Sequence, residues 1–286
     1  MYILKILITG ADGQLGREFQ KYFIKNKINH LSTTKEKFDI TKIDIMRKYL
    51  KNKNEITHII NCAAYTDVEM AETERNKAYK INTKGVENLS IISKEIDAEL
   101  IHFSTDYIFP GRKNPYKEND VSKPINEYGR TKFFGETKLE DFEKKFLIRT
   151  SWLFGKYGDN FVKKVIRWAK NNETLKIVSD EISSPTYAKD LVIATINLLK
   201  TNRYGTYHIT NTSCSRYEWA EYILKEIDWK GKLIKGKQEE FNLKAKRPFK
   251  SVLDNSKFQN ITKLKMPTWQ DATKRFLKEI EYIYNL

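Results

Sequence analysis

At 286 residues the chain is long enough for one large domain or two modest ones, and 40% hydrophobic residues supply a real core. A mean hydropathy of −0.63 with no long apolar run excludes a membrane span. Two isolated cysteines, Cys62 and Cys214, exclude a disulfide framework or a cysteine-based zinc site, which makes a reducing cytoplasm the expected location. The net charge is +15, but the lysines are scattered, as in Lys51, Lys53, Lys144, Lys145, Lys163 and Lys164. That pattern reads as a solvated basic surface able to steer anionic ligands, with no nucleic-acid partner and no membrane partner.

The first 150 residues alternate strand-like and helix-like patterns. Met1 to Ile8 is apolar and short, and runs into a glycine turn, so it reads as a first buried strand over Lys5–Thr9 rather than a signal peptide. Leu15–Lys25 has helical spacing, with Leu15, Phe19, Tyr22 and Phe23 on one side. Asn29–Ser32 is a weak second strand, Ile43–Leu50 a helix and Thr57–Cys62 a third strand. Asn76–Ile92 predicts a helix, Leu100–Ser104 a fourth strand, Glu127–Phe142 a long helix and Phe146–Ser151 a fifth strand. Such alternation predicts an α/β fold, a doubly wound, Rossmann-like parallel sheet.

After Ser151 the rhythm loosens. Helices are expected over Asn160–Lys170, Ala188–Leu199, Arg216–Ile227 and Asp271–Ile283, with a short strand at Tyr207–Ile209. These predict a smaller C-terminal α/β lobe over the strand ends. The expected division is residues 1–150 for dinucleotide binding and 151–286 for substrate. No flexible linker separates the halves, so they should pack together, with room for the chain to weave back.

Gly10, Gly13 and Gly16, with Asp12, Gln14 and Leu15 between them, sit where the first strand meets the first helix. Glycine there lets a phosphate approach the helix N-terminus, whose N–H groups favour negative charge. The spacing is Gly-x-x-Gly-x-x-Gly. An acid at the end of the second strand would bind ribose hydroxyls; Ser32, Thr33, Thr34 and Lys35 stand there instead. Hydroxyls and a lysine accept a 2′-phosphate, so NADPH is expected to serve at least as well as NADH. Asp39, with Ile40 beside it, lies further on, toward the adenine region.

Tyr128 and Lys132 are four residues apart on a predicted helix and therefore share a face. A ketone that receives hydride becomes an alkoxide and needs a proton. A phenol is a poor donor near neutrality, and a neighbouring ammonium brings it closer to working pH. Thr105 ends the fourth strand, where its hydroxyl reaches a carbonyl bound beyond the strand ends. The three form the expected catalytic set. His102 lies within an apolar strand and reads as a satisfied core histidine. Cys62 reads as a small buried residue, and His30, His58 and His208 show no metal spacing.

Several stretches carry a resemblance. They are Ile6–Gly16, Asn61-Cys-Ala-Ala-Tyr-Thr66, Ser104-Thr-Asp-Tyr-Ile-Phe109, Tyr128-Gly-Arg-Thr-Lys132 with Gly135-Glu136, and Arg149-Thr-Ser-Trp-Leu-Phe-Gly155. Asn160-Phe161, Ser184-Pro-Thr186, Arg247-Pro248 and Ser251-Val-Leu253 complete them. With these the chain resembles the extended short-chain dehydrogenase/reductases, and within them the dTDP-4-dehydrorhamnose reductases. The resemblance implies NADPH-dependent reduction of the C4 ketone of a nucleotide-linked 4-keto-6-deoxyhexose. It implies that Ala63, Ala64 and Tyr65 line the cofactor, with Tyr128 and Lys132 also touching it. Thr66, Asp106, Tyr107 and Trp152 would meet the sugar, and Asn160, Pro185, Thr186 and Arg247 the sugar nucleotide. Two places depart from the family pattern. Val68-Glu69 replaces Val-Asp, and in Asp180-Glu181-Ile182-Ser183-Ser184-Pro185-Thr186 a glutamate replaces Gln and Ser183 replaces Gly.

Two other readings compete: a UDP-linked epimerase/reductase, and a non-catalytic regulatory subunit such as that of methionine adenosyltransferase. The residues directly after Ser104 are Thr, Asp and Tyr, with no cysteine among them, against the fucose-forming type of epimerase, and the retained acid set argues for an enzyme. The oligomeric state, a homodimer among the options, is left open by the residues.

Overall fold

The computed structural model describes residues 5–51, 53, 55–112 and 115–284, so the opening Met1–Leu4 of the predicted first strand lies outside the described residues. In chain order the first half contains β1 (Ile6–Thr9), α1 (Gln14–Lys25), β2 (His30–Ser32), α2 (Ile43–Leu50), β3 (His58–Asn61), α3 (Val68–Ala71), α4 (Arg75–Tyr79), α5 (Gly85–Glu95), β4 (Glu99–Thr105), α6 (Glu127–Thr137) and β5 (Lys145–Thr150). The second half contains β6 (Leu153–Phe154), α7 (Phe161–Asn171), β7 (Thr174–Val178), β8 (Ile182–Ser183), β9 (Thr186–Tyr187), α8 (Ala188–Leu199), β10 (Gly205–His208), β11 (Cys214–Ser215), α9 (Arg216–Glu226), β12 (Lys232–Gly236), α10 (Ser256–Thr262) and α11 (Trp269–Tyr284).

The central sheet has six strands in the order β10-β5-β4-β3-β1-β2, every pair parallel. Its strands are mostly apolar on both faces because both faces are covered. On one side Phe19 and Phe23 of α1, Leu191 and Val192 of α8 and Phe258 of α10 pack on Ile6, Ile8 and Ile148. On the other, Met46 and Leu50 of α2 and Val86 and Leu89 of α5 pack on Leu7, Ile59 and Leu100. The strand order reverses between β1 and β3, which opens a crevice at their carboxyl ends.

The strand predicted at Tyr207–Ile209 forms at Gly205–His208, beginning two residues and ending one residue earlier, and lies in the central sheet, where β10 extends it beyond β5. The chain thus weaves back: α8, β10 and α10 complete the first layer although they lie beyond residue 150. What stands apart is an aromatic-rich cluster from α7, α9 and α11, including Val162, Ile166, Trp219, Ile223, Phe276 and Ile280. The parallel pair β7–β12 and the two-residue pairs β6–β9 and β8–β11 edge this lobe.

Two predicted helices are shorter or less regular than their apolar spacing suggested. The helix expected over Asn76–Ile92 widens into a π-turn at Lys80–Lys84 between α4 and α5. That turn lets Asn82 reach back, donating to Tyr65 O and Thr131 Oγ1 (both 3.0 Å) and accepting from Tyr65 N (2.9 Å). The helix expected to Phe142 ends at Thr137, and the chain then turns through Leu139 and Phe142, both buried, to enter β5. Lys145 holds this turn by donating to the carbonyls of Glu140 and Phe142 (2.9 and 2.8 Å).

Helix α6 crosses its neighbours at unusually short range. A Cβ on Gly129 would lie 2.2 Å from Tyr107 O, and one on Gly135 2.2 Å from Asn82 O. Next to Gly135, Glu136 receives a fork of hydrogen bonds from Arg149 Nε and Nη2 of β5 (3.1 and 2.8 Å), with both side chains buried. At its start Asn126 accepts from Gly129 N and donates to Lys246 O (both 2.8 Å), so the helix is tied to the C-terminal arm as well.

Replacing Gly135 by Ala forces backbone apart at that crossing and should cost on the order of 3 kcal/mol. Urea unfolding of Gly135→Ala measures it; unchanged stability would mean that α6 and the π-turn part without penalty.

Candidate active site

A cleft of about 510 Å³ opens at the carboxyl ends of β1, β3 and β4. Its walls are the glycine turn (Gly13, Gln14, Leu15), the segment after β3 (Asn61, Cys62, Ala63, Ala64, Thr66), the end of β4 (Ser104 to Tyr107), Tyr128 and Lys132 of α6, Thr150 to Leu153, and Arg216 and Arg247. Thr105, Tyr128 and Lys132 are therefore brought together, as the four-residue spacing and the strand-end position predict.

The glycine turn is built for close approach. Gly10 sits at φ +59°, and a Cβ there would lie 2.6 Å from Ala63 N; one on Gly16 would lie 2.4 Å from Gly10 O. Gly13 caps α1 without a side-chain hydrogen bond, so the first-turn N–H groups face the cleft mouth uncapped. This is the arrangement that holds a diphosphate.

Lys132 is 2% exposed, and its ammonium donates to Phe103 O at 2.5 Å. Burial draws it down to about 8, partly offset by the Glu136 carboxylate. Tyr128 is half-buried; the surrounding protein pushes its hydroxyl above the ordinary phenol value, while a hydrogen bond with Thr105 works in the other direction. Its ring packs edge-on against Tyr107 with centroids 6.0 Å apart. Thr105 Oγ1 accepts from Tyr107 N (3.2 Å) and donates to Asp106 Oδ1 (3.1 Å).

Asp106 is 1% exposed and accepts at its other oxygen from Ser183 (2.9 Å) and Ser251 (2.5 Å). Burial raises it to about 6, against those three hydroxyls. Its carboxylate thereby joins β4, β8 and the C-terminal arm at the cleft floor. Trp152 has φ +42°, a left-handed conformation that a bulky residue adopts only when its surroundings impose it. The Arg216 guanidinium lies over the Trp152 ring at 3.6 Å and over Phe161 at 4.8 Å. Arg247 donates to Glu69 (2.8 Å), which also accepts from Lys244 N and Ala245 N (2.8 and 3.3 Å).

Several predicted residues are not on the cleft wall. Tyr65 turns into a side cluster with Ala71 and Ala78 and donates to Glu74 (2.8 Å). Asn160 caps α7 and donates to Gly155 O (2.8 Å), because the chain entering that helix needs its N-cap acceptor. Pro185 and Thr186 are buried in the turn into β9, where Thr186 Oγ1 donates to Ser184 O (3.3 Å). Asp39 closes its own turn on Thr41 N and Oγ1 (2.9 and 2.7 Å), and Ile40 packs in the core against α2 and α5. Asp12 is exposed on the glycine turn, its carbonyl accepting from Arg17 Nε (2.8 Å). At the end of β2, Ser32 and Lys35 are exposed, Thr33 is buried on Ile8 O, and Thr34 donates to Glu36, an acid that the sequence reading passed over.

Other residues emerge only from the fold. Cys62, expected as a buried core residue, is half-buried on the cleft wall. Arg216 stands at the start of α9, where an arginine reads as surface charge; the packing of α9 on the lobe turns it inward. Glu181 lies 3.5 Å from Arg216 Nε. Thus all three residues that depart from the family pattern have partners at the cleft: Glu69 on Arg247, Glu181 on Arg216 and Ser183 on Asp106.

Known proteins resemble this chain in sequence and fold. The family described as "RmlD substrate binding domain" matches residues 4–282. A dTDP-4-dehydrorhamnose reductase of Aggregatibacter actinomycetemcomitans is 36% identical, over 94% of this chain and 97% of the relative. A spore coat polysaccharide biosynthesis protein of Bacillus subtilis is 35% identical, over 96% of this chain and 97% of the relative. The crystal structure of a Bacillus anthracis dTDP-4-dehydrorhamnose reductase in complex with NADP is 39% identical and superposes with a TM-score of 0.93, covering 96% of this chain and 99% of that one. Sequence and fold agree along nearly the whole length, and the chain belongs to the dTDP-4-dehydrorhamnose reductase family of extended short-chain dehydrogenase/reductases.

Proposed function

We infer that the protein reduces the C4 ketone of dTDP-4-dehydrorhamnose, with NADPH as reductant, to give dTDP-rhamnose. The observation that carries this reading is the convergence of Thr105, Tyr128 and a buried Lys132 in one cleft with the glycine turn. The residues present fit a dinucleotide: the backbone crowding at Gly10 and Gly16 and the uncapped N-terminus of α1 leave a cradle for its diphosphate. When bound, NADPH supplies the hydride.

Tyr128 donates its hydroxyl proton to the forming alkoxide oxygen. Lys132, held from behind by Phe103 O, stabilises the phenolate left, and its remaining N–H groups would hold the cofactor's ribose. Thr105 exchanges its bond with Asp106 for one to the ketone oxygen, polarising it. Trp152 offers an aromatic surface to the sugar. Arg247, fixed by Glu69, has the planar fork that suits the substrate diphosphate. Thr66 and Tyr107 complete the sugar's surroundings, with Asp106 setting the floor beneath them.

Tyr128→Phe should lower kcat by roughly 10²- to 10⁴-fold while NADPH still binds. Stopped-flow turnover together with fluorescence titration of NADPH checks both halves; retained turnover would contradict the assigned role. Offering dTDP- and UDP-linked 4-keto sugars side by side, and following NADPH loss, identifies the nucleotide; loss confined to the UDP sugar would overturn the substrate assignment.

For the reductant, Ser32 and Lys35 stand exposed at the end of β2, with Glu36 already engaged by Thr34. The expected outcome is a kcat/KM with NADPH at least equal to that with NADH, and a loss of that advantage in Lys35→Ala. A strong preference for NADH in the unaltered enzyme would refute it.

A further inference from the structure

Thr9, Asn61 and His102 lie in register on three adjacent strands, β1, β3 and β4, and form one row across the sheet. All three are essentially sealed from solvent. Thr9 Oγ1 donates to Asn61 Oδ1 (2.7 Å), and Asn61 Nδ2 faces His102 Nδ1 (2.9 Å). Across the ring, His102 Nε2 lies 3.4 Å from Lys132 Nζ. A polar row through an otherwise apolar sheet carries a desolvation cost, which its mutual hydrogen bonds must offset.

The hydrogen positions in this row follow from one backbone group. Ala63 N–H donates to Asn61 Oδ1 at 3.1 Å, and a backbone N–H can only donate. Turning the Asn61 amide over would set its NH₂ against that N–H, so the amide has one workable orientation. Its Nδ2 therefore donates to His102, and His102 Nδ1 must be the bare nitrogen. Burial, with the Lys132 charge adding to it, keeps the ring neutral. A neutral imidazole bare at Nδ1 carries its hydrogen on Nε2, the atom that faces Lys132.

We propose that His102 is a positioning residue for Lys132, locked by Asn61 in the tautomer that shows the amine a donor and never an acceptor. This rests on Lys132 belonging to the proton-donating set inferred above. The ammonium then has Phe103 O as its protein acceptor among the described residues, and its other N–H groups turn toward the cleft. No proton can leak from Lys132 into the core, because Nε2 is already occupied. The same N–H favours the neutral amine over the ammonium, so it acts in the same direction as burial. The charged group bearing on Lys132 is Glu136, one turn further along α6 and opposing that shift; the titratable Tyr128 lies one turn before it on the same helix.

The tautomer can be read directly. The chain has four histidines. Nitrogen-15 spectra of the histidine-labelled protein, assigned by substituting the four in turn, should show His102 protonated at Nε2 and bare at Nδ1 from about pH 6 to about pH 9. A proton on Nδ1 in that range, alone or with one on Nε2, overturns the proposal, and the measurement needs no turnover. The second arm is Asn61→Asp. Its carboxylate still accepts from Thr9 and Ala63 but now also accepts from His102 Nδ1, which drives the ring hydrogen off Nε2 and makes that atom an acceptor for Lys132. The ammonium is then favoured and survives to higher pH. The basic limb of kcat/KM should move up by about one pH unit. A folded Asn61→Asp enzyme that binds NADPH with its basic limb unmoved overturns the positioning role. Full turnover in Tyr128→Phe, with the His102 tautomer as stated, would instead count against the functional reading and leave the hydrogen-bond row intact.

Discussion

The closeness of α6 to the segments around it is the constraint on which the site depends. Tyr128 and Lys132 reach the cleft only because the helix that carries them rides directly on backbone at Gly129 and Gly135. Any side chain at those positions would lift the helix, and with it the phenol and the amine. The buried fork between Arg149 and Glu136 adds an electrostatic anchor to β5. Such a pair is weak evidence of net stability, since its desolvation cost rivals its attraction, but it fixes orientation. It also sets a carboxylate one turn from Lys132, which helps a buried ammonium keep its charge. Packing and electrostatics therefore act on the same turn of helix.

Much of this was legible in the sequence. The alternation of apolar strands and amphipathic helices predicts the parallel sheet because strands covered on both faces must be mostly apolar. The four-residue spacing of Tyr128 and Lys132 predicts a shared face because it follows from helix geometry alone. Short-range rules of this kind fail where tertiary context decides. The π-turn at Lys80–Lys84 has no periodic signature; it exists because Asn82 satisfies Tyr65 and Thr131. The pairs β6–β9 and β8–β11 are two residues long, too short to show alternation. The strand at β10 was visible as a strand, but its place beside β5 is a long-range fact.

The candidate site divides along the same line. Residues whose placement follows from backbone position, such as Thr105 at a strand end or Gly10 at a sharp turn, were recoverable from local pattern. Residues assigned through a motif alone split. Thr66, Trp152 and Arg247 stand on the cleft, while Asn160, Pro185 and Thr186 hold the frame that shapes it. Arg216 was invisible because an arginine opening an amphipathic helix is ordinarily solvated; only the stacking on Trp152 shows otherwise. The departures at Glu69, Glu181 and Ser183 looked like weakened family signals in the linear sequence. In the fold each contacts a charged residue of the cleft wall, so the three departures gather around one cleft.

That set bears on how a chain of charge +15 treats an anionic ligand. Scattered surface lysines give a long-range pull that ionic strength screens within about 10 Å at moderate salt. Discrimination requires fixed cations within the cleft, and Arg216 and Arg247 are fixed by different means. Arg247 is held by a carboxylate whose own position is set by two backbone N–H groups. Arg216 is held by aromatic faces, with Glu181 at 3.5 Å as a looser neighbour. Stacking orients a guanidinium without consuming its in-plane donors, so those donors remain for a ligand oxygen. The lobe's aromatic cluster thus reaches the cleft wall as well as forming a core: α9 carries both Trp219, which packs beside Trp152, and Arg216, which covers it.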